Sequence, residues 1–293
     1  MGSRAALVAA FATILVWSSS YSVARVGLRH FDPFVFSALR ITTAAVVLTL
    51  IALPLRVGLP ARGDRWRVFA SGLIGMTVYL SLLNSGMQVV ESASTAVLIA
   101  LSPILVALMS MRFIGERLTG WGWIGLGAAF FGVVLVSLGQ GSGVSLGGSA
   151  VLVVLAAAAH ALYIVMTKPL TSVYSPVQVT TWAFWSAALT FLPVLFRAPA
   201  QLLAAPAEGY FAFLYLGVGS SALGFMLWAR ALSGAPASVV ASALYVTPPL
   251  SALIGWVWLG EQPSSWVYVG GVVILSAVIL VMRRGVAPVA HPP

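Results

Sequence analysis

Few side chains in this sequence could do chemistry in apolar surroundings, and the most reactive of them are a histidine and an arginine. His160 lies inside a long apolar stretch, where it could bind a ligand by a hydrogen bond, relay a proton or be a satisfied structural group. Arg40 lies inside another such stretch and could receive a carboxylate through two parallel hydrogen bonds, although a structural role is the simpler explanation. These residue types favour ligand recognition over catalysis.

The sequence offers no set of residues for metal binding, covalent catalysis or nucleotide hydrolysis. It contains no cysteine and only three scattered histidines, so we expect no metal site. It also lacks a Ser/His/Asp set, an HExxH motif and a GxxxxGK[ST] motif, so we expect neither an enzyme nor a cofactor. The six acidic residues all fall at the ends of apolar stretches or between them. This placement argues against ion coupling through a buried carboxylate.

The composition places the chain in a membrane. Of its 293 residues, 60% are hydrophobic and 7% are charged, whereas soluble domains carry about 25% charged residues. Stretches of about 20 apolar residues, the length needed to cross a bilayer as a helix, occur ten times. They are residues 5–27, 33–55, 66–87, 92–111, 120–138, 149–167, 176–196, 209–229, 237–259 and 265–282. The net charge is +9, and most of the basic residues lie between these stretches. We therefore expect the protein to contact membrane lipids and not nucleic acid.

The basic residues predict how the chain is oriented in the membrane. Most of them fall between stretches on the same side as the N-terminus, whereas the opposite side carries only Arg25, Arg29 and Arg197. Cytoplasmic segments of membrane proteins carry an excess of Lys and Arg. The pattern therefore predicts a multi-pass protein of the bacterial cytoplasmic (inner) membrane with both termini in the cytoplasm.

Two segments of the sequence repeat one another about half a chain apart. The repeated residues are Pro103, Glu116 and Gly125 in the first copy, and Pro248, Glu261 and Gly270 in the second. Each residue of the second copy follows its counterpart by 145 positions (248 − 103, 261 − 116 and 270 − 125). Such a repeat indicates a duplication. Because each half holds five predicted spans, an odd number, the second half must cross the membrane in the opposite orientation.

The duplication predicts an all-α polytopic fold in which ten transmembrane helices form two inverted five-helix repeats around a central cavity. The expected parts are a first repeat at 1–138, a Gly/Ser linker at 139–148, a second repeat at 149–283 and a cytoplasmic tail at 284–293. Inverted repeats are typical of secondary transporters, which bind substrate between the halves. Pro103 and Pro248 are candidate hinges at matching places, and static bends would explain them equally well.

Polar and aromatic side chains at helical spacing are candidates to line this cavity. Residues three, four or seven positions apart share one side of a helix, and ligand cavities combine apolar walls with a few hydrogen-bonding groups. The candidates are Trp17, Tyr21, Arg40, Tyr79, Asn84, Thr95, Ser102, His160, Tyr163, Trp182, Ser242 and Tyr245. For the tryptophans, a position in an interfacial belt is the alternative.

Several of these motifs together resemble a known family. Trp17-Ser18-Ser19, Ala38-Leu39-Arg40 and the two Pro…Gly-Glu…Gly segments resemble the EamA-type branch of the drug/metabolite transporter superfamily, and within it the YddG-type exporters of aromatic and other amino acids. The resemblance implies a cavity lined by helices 1–4 and 6–9, with helices 5 and 10 at the periphery. In one departure, His160 stands where the duplicated copy has Trp17.

The sequence and the resemblance together favour a secondary transporter that exports small amphipathic metabolites, above all amino acids, by alternating access. A multidrug or other metabolite exporter of the same superfamily is the alternative, and a membrane scaffold that transports nothing is a remoter one. A small-molecule substrate is the expected partner. A single chain would suffice for a complete transport pathway, and the sequence does not decide whether the protein forms a dimer.

Overall fold

The computed structural model describes residues 4–90, 95, 98–139, 148–250, 253–254 and 265–286. Within these ranges the chain is helical apart from turns and an isolated bridge between Leu118 and Val286. The predicted linker lies outside the described residues except for its two ends, at 139 and 148. Of the predicted tail, 287–293 lies outside them, and the predicted spans 92–111 and 237–259 are described only in part.

The helices follow the predicted apolar stretches in order. They are α1 Arg4–Gly27, α2 Pro33–Ala52, α3 Arg62–Gly86, α4 Ser102–Phe113, α5 Gly120–Val136, α6 Ser149–Leu170, α7 Pro176–Leu195, α8 Ala207–Gly234, α9 Ala237–Leu250 and α10 Ser265–Arg284. In the described part of the chain, α1, α2, α3, α6, α8 and α10 are long and apolar enough to cross a membrane. A seventh span results if α7 is joined to a short helix, Ala198–Ala204, that follows at a bend of 78°. The others are shorter apolar helices, so the chain is an all-helical, polytopic membrane protein.

The second helix of each half begins with the same device. Asp32 caps α2, where its carboxylate accepts hydrogen bonds from the backbone N–H groups of Phe34 at 3.0 Å and Val35 at 3.4 Å. Ser175 caps α7 in a capping box with Gln178. A proline occupies the first turn in both helices, where its missing N–H costs nothing. The duplication has therefore preserved the start signal of this helix.

The contact between α5 and α10 shows that the two halves pack reciprocally. A Cβ added to Gly270 would lie 2.6 Å from the carbonyl oxygen of Gly132, and one added to Gly125 would lie 3.1 Å from that of Ala277. These two contacts are equivalent under the 145-residue offset, because 125 corresponds to 270 and 132 corresponds to 277. Small residues let helix backbones approach this closely in membranes.

The remaining helices follow the same reciprocal pattern. Helix α1 packs on α8 and α9, and its counterpart α6 packs on α3 and α4. The pairs α2 with α7 and α4 with α9 join equivalent helices of the two halves. The first helix of each half thus contacts the third and fourth helices of the other half. The centre of the molecule is consequently built from both halves together.

Both third helices contain a π-helical segment that the sequence pattern does not predict. The segments are Leu73–Val78 in α3 and Leu216–Leu223 in α8. They lie at corresponding places of the two halves. A π-helical segment inserts an extra residue into the turn and disturbs the regular hydrogen-bond ladder, and such segments are frequent at functional sites.

Glu116, one of the duplicated residues, binds a helix of the other half. We interpret the sequence around Gly115-Glu116 as a turn that starts the following helix, and Gly115 does adopt a turn conformation with φ of +73°. The Glu116 carboxylate, however, accepts hydrogen bonds at the start of α9, from the N–H of Ala237 at 2.6 Å and from the N–H and hydroxyl of Ser238 at 3.1 and 2.7 Å. A carboxylate stabilises amides at any helix N-terminus that it reaches, and here tertiary packing brings α9 to it.

The α5–α10 contact can be tested with two alanine variants. Gly270→Ala places a methyl group against the backbone of Gly132, which cannot move without separating the helices, whereas a Cβ on Gly127 of α5 meets no atom within 4 Å. Overpacking costs about 1–3 kcal/mol, so Gly270→Ala should lower the apparent melting temperature in detergent by roughly 2–10 °C. Gly127→Ala should leave it unchanged or slightly higher. Equal losses in the two variants would contradict this packing.

Candidate functional site

A cavity lies between the two halves of the described chain. Together with the open space at its mouth, it amounts to about 550 Å³. Its lining residues are Trp17, Ser20, Tyr21, Ala24, Arg40, Tyr79, Leu83, Asn84, Met87, Ile99, His160, Ser220, Phe225, Leu244 and Thr247. Helices α1, α2, α3, α6, α8 and α9 contribute all of these side chains except Met87, which follows α3, and Ile99, which precedes α4. Both halves are therefore needed to form the cavity.

Six of the predicted substrate-binding residues line the cavity. They are Trp17, Tyr21, Arg40, Tyr79, Asn84 and His160. These residues are far apart in sequence and come from four helices, which converge because α1 and α6 each pack on a third helix of the opposite half.

Trp17 forms an aromatic wall of the cavity. Its indole N–H donates a hydrogen bond to the carbonyl oxygen of Ser220 at 2.9 Å, within the π-helical segment of α8. Its ring centroid lies 4.9 Å from that of Phe225, 5.2 Å from that of Trp228 and 5.9 Å from that of His160. The hydrogen bond and these rings hold the indole in one orientation.

His160 lies next to Trp17 in this wall, and one of its two ring nitrogens makes no hydrogen bond to the described residues. Its ring stacks on Tyr79 with centroids 4.9 Å apart, and its Nδ1 lies 3.3 Å from the hydroxyl of Ser102. Nε2 is buried and has no hydrogen-bond partner among the described residues. No acidic side chain of the described chain pairs with His160. In this environment His160 is suited to bind a ligand through a hydrogen bond.

Arg40 is buried beside the cavity and held by serines of the other half. Only 5% of the residue is exposed. Its Nε donates to the hydroxyl of Ser221 at 2.7 Å, and its Nη2 donates to that of Ser220 at 3.0 Å. The hydroxyl of Ser20 lies 2.9 Å from that of Ser220 and extends this polar group to α1. The guanidinium therefore links the two halves at the cavity wall.

The backbone is irregular where the two duplicated prolines approach the cavity. Pro103 lies in the first turn of α4, directly after a turn at residues 100–101, and Pro248 follows a 3₁₀ segment, Ala243–Val246. A proline removes the helical hydrogen bond to the carbonyl four residues before it. Those residues are Ile99 and Leu244, and both line the cavity. The interruptions therefore lie at matching places beside the candidate site.

The other predicted site residues do not line the cavity. They are Thr95, Ser102, Tyr163, Trp182, Ser242 and Tyr245. Ser102 lies behind His160, and Tyr163 packs against Gly75 of α3. Thr95, Ser242 and Tyr245 are fully buried in the protein interior.

Trp182 is far from its predicted position at the cavity. Its indole N–H donates to the carbonyl oxygen of Gly58 at 2.9 Å, and its ring meets Tyr174 edge-on at 4.8 Å. It belongs to a separate small apolar cluster with Val68 and Leu170. The helical spacing correctly places Trp182 on a buried face of α7, but that face packs near the N-terminal end of α3.

Three polar lining residues are absent from the sequence prediction: Ser20, Ser220 and Thr247. Ser20 lies three positions after Trp17, and this spacing would have placed both on one face of α1. Ser220 lies in a run of small residues that is most simply interpreted as a packing surface. Thr247 directly precedes the duplicated Pro248, where the sequence predicts a hinge and not a binding residue.

Comparison with known proteins shows that both halves of the chain match the same protein family. The sequence model of the EamA-like transporter family matches residues 4–138 and again 148–283. The chain is 33% identical to a probable terminal-alkyne amino-acid exporter of Streptantibioticus cattleyicolor, over 93% of this chain and 91% of that protein. It is 27% identical to the uncharacterized transporter YdfC of Bacillus subtilis, over 90% of this chain and 86% of that protein.

A solved crystal structure has the same fold. It superposes with a TM-score of 0.75 at 22% sequence identity, and the match covers 94% of this chain and 95% of the other. This likeness concerns the fold alone.

The cavity can be tested by cysteine labelling, since the natural sequence has no cysteine. Ser20 lines the cavity, whereas Ser242 is a fully buried serine outside it. Because a thiol must be accessible to react, Ser20→Cys should react with a small water-soluble thiol reagent at least roughly tenfold faster than Ser242→Cys. The rates are measured by mass spectrometry on the protein in detergent. Equal rates would contradict an open cavity at Ser20.

Proposed function

The chain belongs to the EamA-like transporter family, and from this premise we propose that it exports amino acids, including aromatic ones, across the bacterial cytoplasmic membrane. The observation that carries the proposal is the cavity, which combines aromatic rings with one buried cation, hydroxyl groups and an amide, and to which the described chain contributes no acidic side chain. Such a lining suits small amphipathic molecules that carry a carboxylate. The relative named as a probable amino-acid exporter supports the same substrate class.

The proposed architecture has ten transmembrane helices in two inverted five-helix repeats, with both termini in the cytoplasm. The first repeat is 1–138 and the second is 149–283, joined by the linker 139–148. The reciprocal contacts of α5 with α10, and of α1 and α6 with opposite halves, support this arrangement. Two separate matches to the family also support it.

The proposed mechanism is alternating access between the two faces of the membrane. The lining residues of α1, α2 and α3 lie in the later parts of α1 and α3 and the early part of α2, which the predicted orientation places toward the outer face. At the predicted cytoplasmic ends, Glu116 binds the start of α9, and Lys168 donates hydrogen bonds to the carbonyl oxygens of Leu232 and Ala235 at the end of α8. These contacts support a state closed on the inside. The breaks beside Pro103 and Pro248 are the proposed hinges.

Transport in this proposal needs no ion coupled through a membrane carboxylate. The acidic residues that the structure describes all lie at helix ends or in connections. The two halves of a single chain enclose the cavity between them, which supports the proposal that a monomer suffices for transport; a dimer is compatible with it.

The proposal is tested by measuring efflux from proteoliposomes. Labelled phenylalanine, threonine and leucine are loaded, and release is followed with and without an imposed pH gradient. We expect saturable, stereoselective flux that does not respond to the gradient, because no described acid lines the pathway. Lipid vesicles without protein are the control.

Two outcomes would contradict the proposal. Movement of a lipophilic cation such as tetraphenylphosphonium, with no amino-acid flux, would indicate a drug exporter. Gradient-driven amino-acid flux that is lost in His160→Ala would instead indicate proton coupling through this histidine and overturn the uncoupled mechanism.

The role of Trp17 as a cavity wall predicts a change in selectivity. A Cβ on Gly224 would lie 2.6 Å from Nε1 of Trp17, so Gly224→Ala should push the indole into the cavity and break its bond to Ser220. We expect the ratio of phenylalanine to threonine flux to fall roughly threefold to tenfold, since a small overlap disfavours the larger substrate by about 1 kcal/mol.

The matched control is Gly219→Ala, because a Cβ there meets only Val16, at 3.9 Å. This variant lies in the π-helical segment that Gly224 directly follows, and it should keep the wild-type ratio. An unchanged ratio in Gly224→Ala, with flux intact, would show that Trp17 does not limit substrate size.

A further inference from the structure

Arg40 is a buried cation whose charge is not balanced by the described part of the chain. No described carboxylate oxygen lies within 4.0 Å of its guanidinium. The described acids are all engaged elsewhere: Asp32 caps α2, Asp64 accepts a hydrogen bond from Tyr174, Glu116 binds α9 and Glu208 pairs with His30. A charged side chain within a membrane is costly unless it is paired.

The hydrogen bonds of Arg40 do not remove this cost. A guanidinium has five N–H donors, and the two serine hydroxyls take up two of them. Both serines are neutral, so they satisfy hydrogen bonds without balancing the positive charge. A glutamine or asparagine could join α2 to α8 through the same hydroxyls at far lower cost. A purely structural role therefore does not explain why the residue at this place is charged.

The surroundings of Arg40 suit a negatively charged group of a ligand. The residue lines the cavity together with Ser20 and Ser220, which offer further hydroxyl groups at the same place. The bonds to Ser220 and Ser221 fix the plane of the guanidinium, so its remaining N–H donors are preorganised. A planar guanidinium matches a carboxylate through two parallel hydrogen bonds.

We propose that the carboxylate of the transported molecule is the counter-ion of Arg40, so that Arg40, Ser20 and Ser220 form a carboxylate subsite. This inference rests on the proposed function and deepens it. The adjoining wall, built from Trp17, Tyr79 and His160, receives an apolar or aromatic body. The substrate class is thus a small monocarboxylate with such a body, and an amine or amide without a carboxylate is excluded.

Three ligands of similar shape test the subsite on the unmodified protein. Phenylalanine carries a carboxylate and an amine, 3-phenylpropionate carries only the carboxylate, and phenylalaninamide carries the amine and a neutral amide. Binding is measured by titration calorimetry in detergent, without any need for transport. We expect the two carboxylates to bind and the amide to bind roughly tenfold to hundredfold more weakly, the value of a charge-assisted hydrogen bond. Equal binding of the amide, or binding of neither carboxylate, would overturn the proposal.

Substitutions then assign the effect to Arg40. Arg40→Gln should weaken phenylalanine binding roughly tenfold to hundredfold and leave phenylalaninamide unaffected, and Arg40→Lys should retain part of the preference because it keeps the charge. Arg29→Gln removes the same charge at an exposed position and should change nothing. If Arg40→Gln does not fold, Arg40→Lys and the ligand series still decide.

Glu91, which lies outside the described residues, supplies the competing explanation. If Glu91 were the counter-ion, it would compete with the carboxylate of a ligand, so the unmodified protein would show little preference for carboxylates and Glu91→Gln would raise that preference. This result would show that the protein supplies its own counter-ion, and the proposal would be wrong. Binding and flux also separate the two proposals. Carboxylate preference without amino-acid flux would refute the proposed function alone, whereas flux without carboxylate preference would refute the role of Arg40 alone.

Discussion

Within a bilayer, a buried polar group without a partner in the protein is costly, since the hydrocarbon offers none. In this chain the partner often lies in the other half. The amides at the start of α9 are bound by Glu116, the indole of Trp17 by the Ser220 carbonyl, and the guanidinium of Arg40 by Ser221. Each of these contacts fixes the position of one half relative to the other. The contacts of Trp17 and Arg40 lie in the cavity wall, so the requirement for polar partners also shapes the candidate site.

The duplication explains why these contacts come in equivalent sets. When two copies of one unit bind each other reciprocally, a contact made by the first copy recurs with the copies exchanged, as Gly125 and Gly270 show at the α5–α10 contact. The centre departs from this equivalence, because Trp17 of one copy corresponds to His160 of the other. The two rings contact each other edge to face in one wall of the cavity, with their centroids 5.9 Å apart. Divergence at this pair gives that wall two chemically distinct rings, while the peripheral packing stays equivalent.

Much of the fold could be predicted from local patterns. Apolar length places the helices, and the 145-residue offset reveals the repeat. Both features can be seen in the order of residues along the chain, so no tertiary information is needed. Helical spacing also identified Trp17, Tyr21 and His160 as members of polar or aromatic helix faces, and all three line one cavity.

The sequence by itself determined that the chain is a helical membrane protein made of two related halves, and it supplied the residue types at the cavity. Only the tertiary structure decided which faces meet. It placed Trp182 at a separate cluster, brought Ser220 to Arg40 through a π-helical segment, and gave Glu116 a partner in α9. The physical reason is that spacing along a helix determines which side chains share a face. The partner of that face depends on the packing of helices that are distant in the chain.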